Sequence, residues 1–384
     1  MAQGHRSPPT MSDVAAVAGV SKKTVSNVLS GYEHVSVRTR DRVMAAVDEL
    51  GYELNVSARN FRAGRSKVLG LAVPELRQAY FAELADAVIR AAGAVGYTVL
   101  IEQTASGVRE ADAITRMREH SIDGIIYSPL TVRPSDAAAL EVKFPLVVLG
   151  EPIPDAPVPF IAMSNADALR DATTHLLDAG RRSIAFIGSD PAGPVRTAQE
   201  RLRGYREALD DHGVPFAPER VVPTALWHRA EGAAAARQLL EAGVPVDGIV
   251  CCNDALALGA MSALQLAGRT VPDDVAVVGF DDIEESAYST PALTTVSADF
   301  DRVAATAVGV LVAQLEEGAP ATPGVLRSRH ALVVRASSAT RSGREARGGP
   351  ATGLPSVLGW CLRPRPAPQV GHAVPGSARR WGAR

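Results

Sequence analysis

From residue 68 onward the chain alternates strand-like and helix-like segments twice over, and this pattern constrains the fold more than any other feature. The first round predicts strands over 68–73, 97–101, 124–127 and 146–149 and helices over 81–94 and 110–120. The second predicts helices over 166–179, 199–212, 229–242 and 255–267, strands over 183–187, 248–252 and 275–280, then a helix over 301–317 and a strand over 332–335. Alternation at this spacing indicates two similar lobes, each a doubly wound parallel sheet.

Before residue 68 the predicted elements are short helices. Each follows a side chain that can cap its N-terminus, and a glycine stands beyond each end. The predicted helices are 14–18 after Ser12 or Asp13, 22–29 after Ser21 and 37–50 after Ser36, with a fourth segment over 56–63. Apolar positions on the first two helices face each other, so these helices share one small core.

The segment from Thr10 to Gly31 has the arrangement of a helix-turn-helix, with a glycine turn and a capped second helix. In that motif the second helix enters the major groove of DNA with its N-terminal residues at base edges. Lys22 and Lys23 lie there, and lysine can donate to guanine O6 and N7. Asn27 lies one turn further along the same face and suits adenine. An ordinary helical pair with solvated lysines is the alternative.

Hydroxyl groups on the same helix predict contacts of a second kind. Thr24 and Ser26 can hydrogen-bond phosphates, which fixes the register on DNA without reading its sequence. We count the capping residue Ser21 with them among the candidate DNA-binding residues.

Charge is unevenly distributed along the chain. Residues 1–67 carry ten Lys and Arg against six Asp and Glu, although the whole chain has a formal net charge of −2. Residues 341–384 contain eight Arg against Glu345 and few large apolar residues, so we interpret 340–384 as a disordered basic tail. A basic head on an acidic body favours an anionic partner such as nucleic acid.

Several classes of protein are disfavoured by what the sequence lacks. No apolar run reaches the ~18 residues of a membrane span, and the first ten residues contain no apolar signal region, so we expect a cytoplasmic protein without membrane contact. The sequence contains no dinucleotide-binding, phosphate-loop or serine-hydrolase motif, and its histidines are scattered. We therefore predict no catalytic residues, no metal site and no cofactor.

The head resembles that of the lactose-repressor (LacI/GalR) family of bacterial transcription regulators. The family pattern D-V-A-x-x-A-G-V-S-x-x-T-V-S-x-V-L-x is present from Asp13 to Ser30, and family residues continue from Val35 to Arg59. The resemblance covers about 1–340 and implies a two-lobed effector domain related to periplasmic sugar-binding proteins. The implied domains are a helix-turn-helix head over 1–54, a hinge helix and linker over 55–67, an effector-binding and dimerisation domain over 68–339, and the tail over 340–384.

The resemblance also implies contacts made by the hinge. It assigns Asn55, Ala58 and Phe61 to DNA, with Phe61 in the place of a leucine that wedges into the minor groove. An apolar wedge that partly unstacks a base step can be Leu or Phe. Asn27 stands where the family usually has arginine, which predicts a different base preference. Packing of Phe61 under the effector domain is the alternative.

In such two-lobed folds the ligand lies between the lobes, at the carboxyl ends of strands. The resemblance assigns effector binding to four aromatic and three polar residues: Tyr80, Phe81, Trp227, Phe300, Arg201, Asn253 and Asp281. Core positions for Phe81 and Trp227 are the alternatives, and Asp254 is the expected cap of the next helix. Ala298 and Gly150 replace polar family residues, which predicts either an effector other than a simple galactoside or a different orientation of the ligand.

These expectations combine into a homodimeric transcription regulator, acting as a repressor. Two heads would bind the half-sites of a pseudo-palindromic operator in double-stranded DNA, and a small-molecule effector, a sugar, would control operator affinity. The alternatives are a sugar-binding protein without a DNA-binding role and a carbohydrate-acting enzyme. Such an enzyme needs two carboxylates held ~5–9.5 Å apart.

Overall fold

The structure is a computed structural model that describes residues 9–52, 65–104, 110, 112–131, 137–190, 195–318 and 323–339. The predicted helix over 56–63, the predicted contact residues Asn55, Ala58 and Phe61, and the tail over 340–384 lie outside the described residues.

The head consists of α1 (Met11–Ala18), α2 (Lys22–Leu29) and α3 (Val37–Leu50) around one small core. The predicted caps of the last two helices are confirmed, since Ser21 accepts a hydrogen bond from the Thr24 amide and Ser36 from the Thr39 amide. The prediction for α1 was wrong, because the helix begins three residues earlier than expected.

Thr10 caps α1, in place of the predicted Ser12 or Asp13. Its hydroxyl accepts a hydrogen bond from the Asp13 amide, and the Asp13 carboxylate accepts one from the Thr10 amide at 2.7 Å. This reciprocal pair is a capping box, in which two otherwise unpaired amides are satisfied together. Hydrogen bonds from Thr10 lower the pKa of Asp13.

The described residues of the body form two sheets of six strands each. In lobe 1 the order across the sheet is β2, β1, β3, β4, β5, β11, and in lobe 2 it is β7, β6, β8, β9, β10, β12. The strands are β1 Val68–Val73, β2 Thr98–Gln103, β3 Gly124–Tyr127, β4 Leu146–Leu149, β5 Pro159–Met163, β6 Ile184–Ser189, β7 Val221–Pro223, β8 Gly248–Cys251, β9 Ala276–Asp281, β10 Thr294–Ser297, β11 Gly324–Ser328 and β12 Ala331–Val333. Only β12 pairs antiparallel, with β10; the other described pairings are parallel.

Helices connect the strands and cover the sheets, which confirms two doubly wound lobes. They are α4 Ala79–Ala94, α5 Asp112–Arg118, α6 Ala137–Leu140, α7 Asn165–Asp178, α8 Arg196–Asp211, α9 Arg229–Glu241, α10 Asp254–Leu266, α11 Glu284–Tyr288 and α12 Phe300–Glu317. Helix α12 follows a strand of lobe 2 but packs on α4 in lobe 1. None of these helices combines the length and apolar character needed to cross a membrane.

Strands β1, β3 and β4 have the predicted bounds, and the other predicted body elements are present with ends displaced by at most three residues. Four strands were missed, each with an atypical sequence. Pro159 begins β5, and β7 has only three residues. Polar residues dominate β10, and most of β11 is exposed at the edge of its sheet.

The chain passes between the lobes three times. The first crossing follows β5 and the second follows β10, and the third is the short segment between β11 and β12. Three connections therefore join the lobes, and a space remains between them.

Candidate effector cleft and nucleic-acid interface

Helix α2 presents the residues predicted to read DNA. Val25 and Val28 are buried in the core of the head, whereas Lys22 and Lys23 are exposed in the first turn. That turn contains no acidic residue. Two lysines at a helix N-terminus form a cationic surface, which suits phosphates and the acceptor edge of guanine.

The remaining predicted DNA-binding residues of α2 lie beside this surface. Thr24, Ser26 and Asn27 are half-buried, and Ser21 is exposed. The hydroxyls of Ser21 and Thr24 share a hydrogen bond of 2.8 Å. Thr24 is therefore held in place by the cap and retains acceptor capacity for an incoming group.

A cleft of about 800 Å³, part of which is open to solvent, lies between the two lobes, and all seven predicted effector-binding residues line it. They arrive from six places: the start of α4, α8, the segment before α9, the cap of α10, the end of β9 and the start of α12. The other lining residues are Gln78, Ser128, Pro129, Leu130, Leu149, Gly150, Ile161, Met163, Asn165, Thr197, Ala298 and Val303.

Arg201 is a buried polar side chain of the cleft, and only 3% of it is exposed. Its Nε donates to Asn165 Oδ1 at 2.8 Å, and its Nη1 donates to the carbonyl oxygen of Cys252. The guanidinium carbon lies 3.5 Å from the ring centroid of Phe280 and 5.4 Å from that of Trp227. Among the described residues no protein acceptor meets its Nη2, so one nitrogen is available to a ligand.

Asp281 ends β9 at the floor of the cleft with 4% of its surface exposed. Its φ of 116° lies in a region that side chains rarely adopt, so the surrounding structure holds it there. No donor within the described ranges hydrogen-bonds its carboxylate. Burial raises the pKa of Asp281 well above its ordinary value, although the nearby Arg201 charge opposes this shift. An unpartnered buried carboxyl group is a ready acceptor for a ligand hydroxyl.

Asn253 has a structural role as well as a place in the cleft. Its Oδ1 accepts from the Leu256 amide at 2.9 Å and so caps α10, and its Nδ2 donates to the Trp227 carbonyl at 3.1 Å. The expectation that Asp254 caps this helix was wrong. Asp254 is fully buried and accepts from the Ile283 amide and from two hydroxyls.

The hydrogen bonds to Asp254 tie the start of α10 to β10, to α11 and to the residue that precedes α11. Its donors are the Ile283 amide at 3.1 Å, the Ser286 hydroxyl at 2.7 Å and the Thr295 hydroxyl at 2.6 Å. Burial nevertheless raises the pKa of Asp254 to about 7. This carboxyl group therefore supports the loop that follows Asp281.

Three aromatic rings form the lobe 1 end of the cleft. The centroids of Tyr80 and Phe81 lie 4.9 Å apart in an edge-to-face arrangement, and those of Tyr80 and Phe300 lie 5.4 Å apart. Phe81 also belongs to the core of lobe 1, which was the alternative for this residue. Its side chain packs in the core and also lines the cleft. Burial raises the pKa of the Tyr80 hydroxyl.

Contacts between the lobes close the edges of the cleft. His228, the N-cap of α9, hydrogen-bonds Glu75 beyond β1. Asn165 Nδ2 donates to Glu151 Oε1 at 2.6 Å, and the Glu284 amide donates to Glu83 Oε1 at 2.9 Å. Burial raises the pKa of Glu83.

Sequence reasoning missed four polar residues that line the cleft: Gln78, Ser128, Asn165 and Thr197. The rule that ligand-binding residues follow strands would have found Ser128, which comes directly after β3. Asn165 follows β5, a strand that was itself missed. Thr197 lies in the first turn of α8, before the predicted start of that helix. In the part of the chain that the structure describes, no cluster of three or more His, Cys, Asp or Glu could hold a metal ion.

In comparisons with known proteins, the chain matches two domain families and has several relatives that are similar over most of its length. Residues 10–55 match bacterial regulatory proteins of the lacI family, and residues 173–338 match the periplasmic binding protein-like domain. Over 314 residues the chain is 36% identical to the HTH-type transcriptional regulator AscG of Escherichia coli (strain K12), covering 80% of this chain and 93% of that protein.

Solved structures agree with the sequence matches. The Lac repressor dimer bound to operator and the anti-inducer ONPF is similar with a TM-score of 0.77 and 29% identity, covering 87% of this chain and 100% of that one. The complex of the transcriptional regulator CelR with cellobiose has a TM-score of 0.63 and 30% identity, covering 86% and 99%. The chain belongs to the lacI family of bacterial regulatory proteins. It is a DNA-binding transcriptional regulator and not an enzyme.

Proposed function

We propose that this protein is a homodimeric repressor of the cytoplasm, which binds a pseudo-palindromic operator and changes its operator affinity when a sugar binds the cleft. The observation that carries the proposal is the pair formed by Arg201 and Asp281. Both side chains are buried in one cleft and both keep unpartnered polar atoms there. Burying such groups is costly unless a ligand satisfies them.

On the DNA side, α2 is the recognition helix. Lys22, Lys23 and Asn27 read base edges, whereas Ser21, Thr24 and Ser26 contact phosphates. Asn55, Ala58 and Phe61 belong to a hinge segment over 55–67 that contacts the minor groove at the centre of the operator. The operator-bound Lac repressor dimer supports this arrangement, since its fold matches this chain over most of its length.

On the effector side, Arg201 and Asp281 form a polar pair that binds sugar hydroxyls, and the aromatic residues pack on the sugar. Arg201 donates through Nη2, Asp281 accepts, and Trp227 offers a ring face. The CelR complex with cellobiose shows that a relative with this fold binds a sugar.

The effector can change operator affinity because it binds between two lobes that are joined by only three chain crossings. A ligand that contacts both lobes stabilises one lobe arrangement over the other, and only this difference in affinity can shift the population. The lobes in turn set the spacing of the two heads in the dimer, which an operator of fixed half-site spacing detects.

The test is a pull-down of genomic DNA fragments with the purified full chain, followed by footprinting. We expect a protected pseudo-palindrome whose occupancy changes when sugars are added. Lys23→Ala should alter the base preference within each half-site, and Arg201→Ala should keep DNA binding but lose the response to sugar. Recovery of no specific fragment, with or without sugars, would refute the proposal.

A further inference from the structure

The chain that comes from the head enters lobe 1 through residues 65–67, directly before β1. Asp123, the residue before β3, holds this segment. Its Oδ1 accepts from the Ser66 amide at 2.7 Å and from the Ser66 hydroxyl at 2.9 Å, and its Oδ2 accepts from the Lys67 amide at 2.8 Å. Hydrogen bonds that a carboxylate accepts are stronger than those between neutral groups. We call this arrangement, in which one carboxylate binds two successive backbone amides, the Asp123 clasp.

Further contacts seat the same segment on lobe 1. The Val68 amide donates to the Ser66 hydroxyl at 3.2 Å, and the Thr98 amide at the start of β2 donates to the Lys67 carbonyl at 3.0 Å. The Lys67 ammonium nitrogen lies 4.2 Å from the ring centroid of Tyr97. Lys67 has a φ of 59°, which residues other than glycine rarely adopt, so the surrounding contacts hold it there. The chain therefore enters lobe 1 at a fixed point.

Lobe 2 contains a matching clasp. Asp247 precedes β8 as Asp123 precedes β3, and its carboxylate oxygens accept from the amides of Arg182 and Ser183, both at 2.9 Å. Each aspartate amide also donates to a carbonyl at the start of the first strand of its lobe: Asp123 to Val68 at 2.8 Å and Asp247 to Ser183 at 2.9 Å. The residues bound in lobe 2 lie between α7 and β6, whereas those bound in lobe 1 lead to the head.

The entry point on lobe 1 matters because an operator has two half-sites at a set separation, and the two heads of a dimer must match it. A free entry point would add residues 65–67 to the chain that must be ordered when both heads bind. Each ordered residue costs conformational entropy. A longer free linker also spans a wider range of distances. Loss of the clasp would therefore weaken operator binding and make it less selective for half-site spacing.

We infer that Asp123 is a positioning residue for operator binding, which fixes the separation of the two heads by holding Ser66 and Lys67 on lobe 1. The inference rests on the proposed function, because it names the residue through which lobe 1 sets the spacing of the heads. Asp123 lies before β3, at the end of the sheet opposite to the cleft, and is not among the residues that line the cleft. Its effect on operator spacing is therefore separable from effector binding.

The experiment measures spacing preference by gel-shift titration of the full chain. The probes are the pseudo-palindrome recovered by the pull-down, the same fragment with one base pair inserted between its half-sites, and a fragment of equal length with scrambled half-sites. For the wild type we expect the insertion to weaken binding about tenfold or more, because it shifts one half-site by ~3.4 Å and rotates it by about 35°.

Asp123→Ala should reduce the penalty of the insertion to about threefold or less, because the freed residues let the heads adapt to the new spacing. Binding of the native pseudo-palindrome should weaken several-fold. Binding of the scrambled fragment should not change, since it depends on the charge of the head. A loss of folded protein would instead weaken binding of all three fragments by one factor and leave their ratios unchanged.

Asp247→Ala is the matched control, because it removes the same kind of clasp from a half-buried aspartate in lobe 2. It should keep the spacing preference of the wild type. Asp123→Asn retains one side-chain oxygen as an acceptor, so it should show an intermediate penalty, and it replaces the alanine variant if that variant does not fold. Thermal unfolding of all three variants checks that they fold.

The outcomes separate the inference from the proposed function. A wild-type spacing preference in the Asp123 variants, an equal loss in Asp247→Ala, or a wild type that tolerates the insertion overturns the inference and leaves an operator-binding regulator. A relaxed preference in Asp123→Ala, in a protein whose operator affinity does not change with sugars, keeps the inference and overturns effector control. A wild type that does not distinguish the scrambled fragment overturns both.

Discussion

The two lobes share one strand order but differ in where they place charge. In each sheet the first strand of the lobe lies second from one edge, and the later strands follow outward in the same sequence. Yet the buried charged side chains of the described residues, Arg201, Asp254 and Asp281, all lie in lobe 2. Topology thus decides where loops converge, and the residues at strand ends decide what those loops bind.

One helix in each lobe carries a glycine, and the two glycines differ in what surrounds them. In lobe 2, a Cβ at Gly259 would lie 1.9 Å from the carbonyl oxygen of Arg229, so α10 packs against α9 at backbone distance. In lobe 1, Gly93 of α4 is exposed, and a Cβ there would meet no atom within 4 Å. The first glycine is required by a close helix contact, whereas the second is not.

The largest expected effect comes from pH and should be greater in lobe 2, which contains the buried Asp254 and Asp281, than in lobe 1. Burial raises the pKa of Asp254 from 3.8 to about 7, so between these values the folded protein retains a proton that the unfolded chain has lost. The contribution of Asp254 to stability is therefore greatest below pH ~4 and falls as the pH rises to ~7, by up to about 4 kcal/mol.

Hydrogen exchange measured from pH 4 to 7 and corrected for the intrinsic rate tests this prediction. Protection in lobe 2 should fall with rising pH, and Asp254→Asn should make that slope shallower, because Asp281 in the same lobe also has a raised pKa. A fall in lobe 1 as steep as that in lobe 2, or an unchanged slope in the variant, would mean that buried charge does not distinguish the lobes.

Arg201→Ala removes the buried guanidinium that lobe 2 contributes to the cleft. It deletes the free Nη2 donor and leaves Asn165 Oδ1 without its partner, so we expect effector affinity to fall about a hundredfold. Operator affinity without effector should stay within a few-fold of wild type. Calorimetry measures effector affinity, and a gel-shift titration measures operator affinity. An unchanged effector affinity would mean that Arg201 does not bind the effector.

Gly259→Ala tests the close helix packing. Its new methyl group must push α9 and α10 apart, and overpacking of this kind costs about 1–3 kcal/mol. The matched variant Gly93→Ala should instead stabilise the protein by about 0.5–1 kcal/mol, because alanine restricts the unfolded chain at no steric cost. Thermal unfolding midpoints should move in opposite directions, and two shifts of equal sign would contradict the comparison.

The smallest effect concerns a contact that joins the lobes. Glu75→Gln removes the charge of the acceptor that His228 meets across the cleft edge. Both side chains are partly buried, and a single hydrogen bond contributes ~0.5–1.5 kcal/mol net, so we expect effector binding to weaken about two- to ten-fold. Glu207→Gln, which breaks an exposed pair with Arg203 inside α8, is the control and should leave binding unchanged.

Much of the fold could be predicted where a local signal agrees with the final packing. The apolar runs of β1, β3 and β4 are buried along their length, and their bounds match the prediction. The strand β10 was missed because its threonines look solvent-exposed in sequence. In the fold the Thr295 hydroxyl donates to Asp254, and Thr294 is likewise buried and hydrogen-bonded. Such compensation depends on residues that lie far apart in the chain.

The residues that line the candidate site could be predicted from the sequence, but the hydrogen bonds among them could not. All seven effector-binding residues inferred from the resemblance line one cleft. Which of Asn253 and Asp254 caps α10 could not be predicted, because both residue types are common helix caps. The carboxamide of Asn253 caps α10, whereas Asp254 turns inward to a loop that follows a different strand.

The last strands of the body also determine when the protein can finish folding. Strand β11 forms the outer edge of lobe 1 beside β5, and β12 forms the outer edge of lobe 2 beside β10. Both emerge from the ribosome after every other strand of the body. Until then β5 and β10, which lie inside the finished sheets, are themselves edge strands, and an unpaired strand edge is a template for aggregation. Premature termination before residue 324 would therefore leave the edges of β5 and β10 uncovered in the same polypeptide.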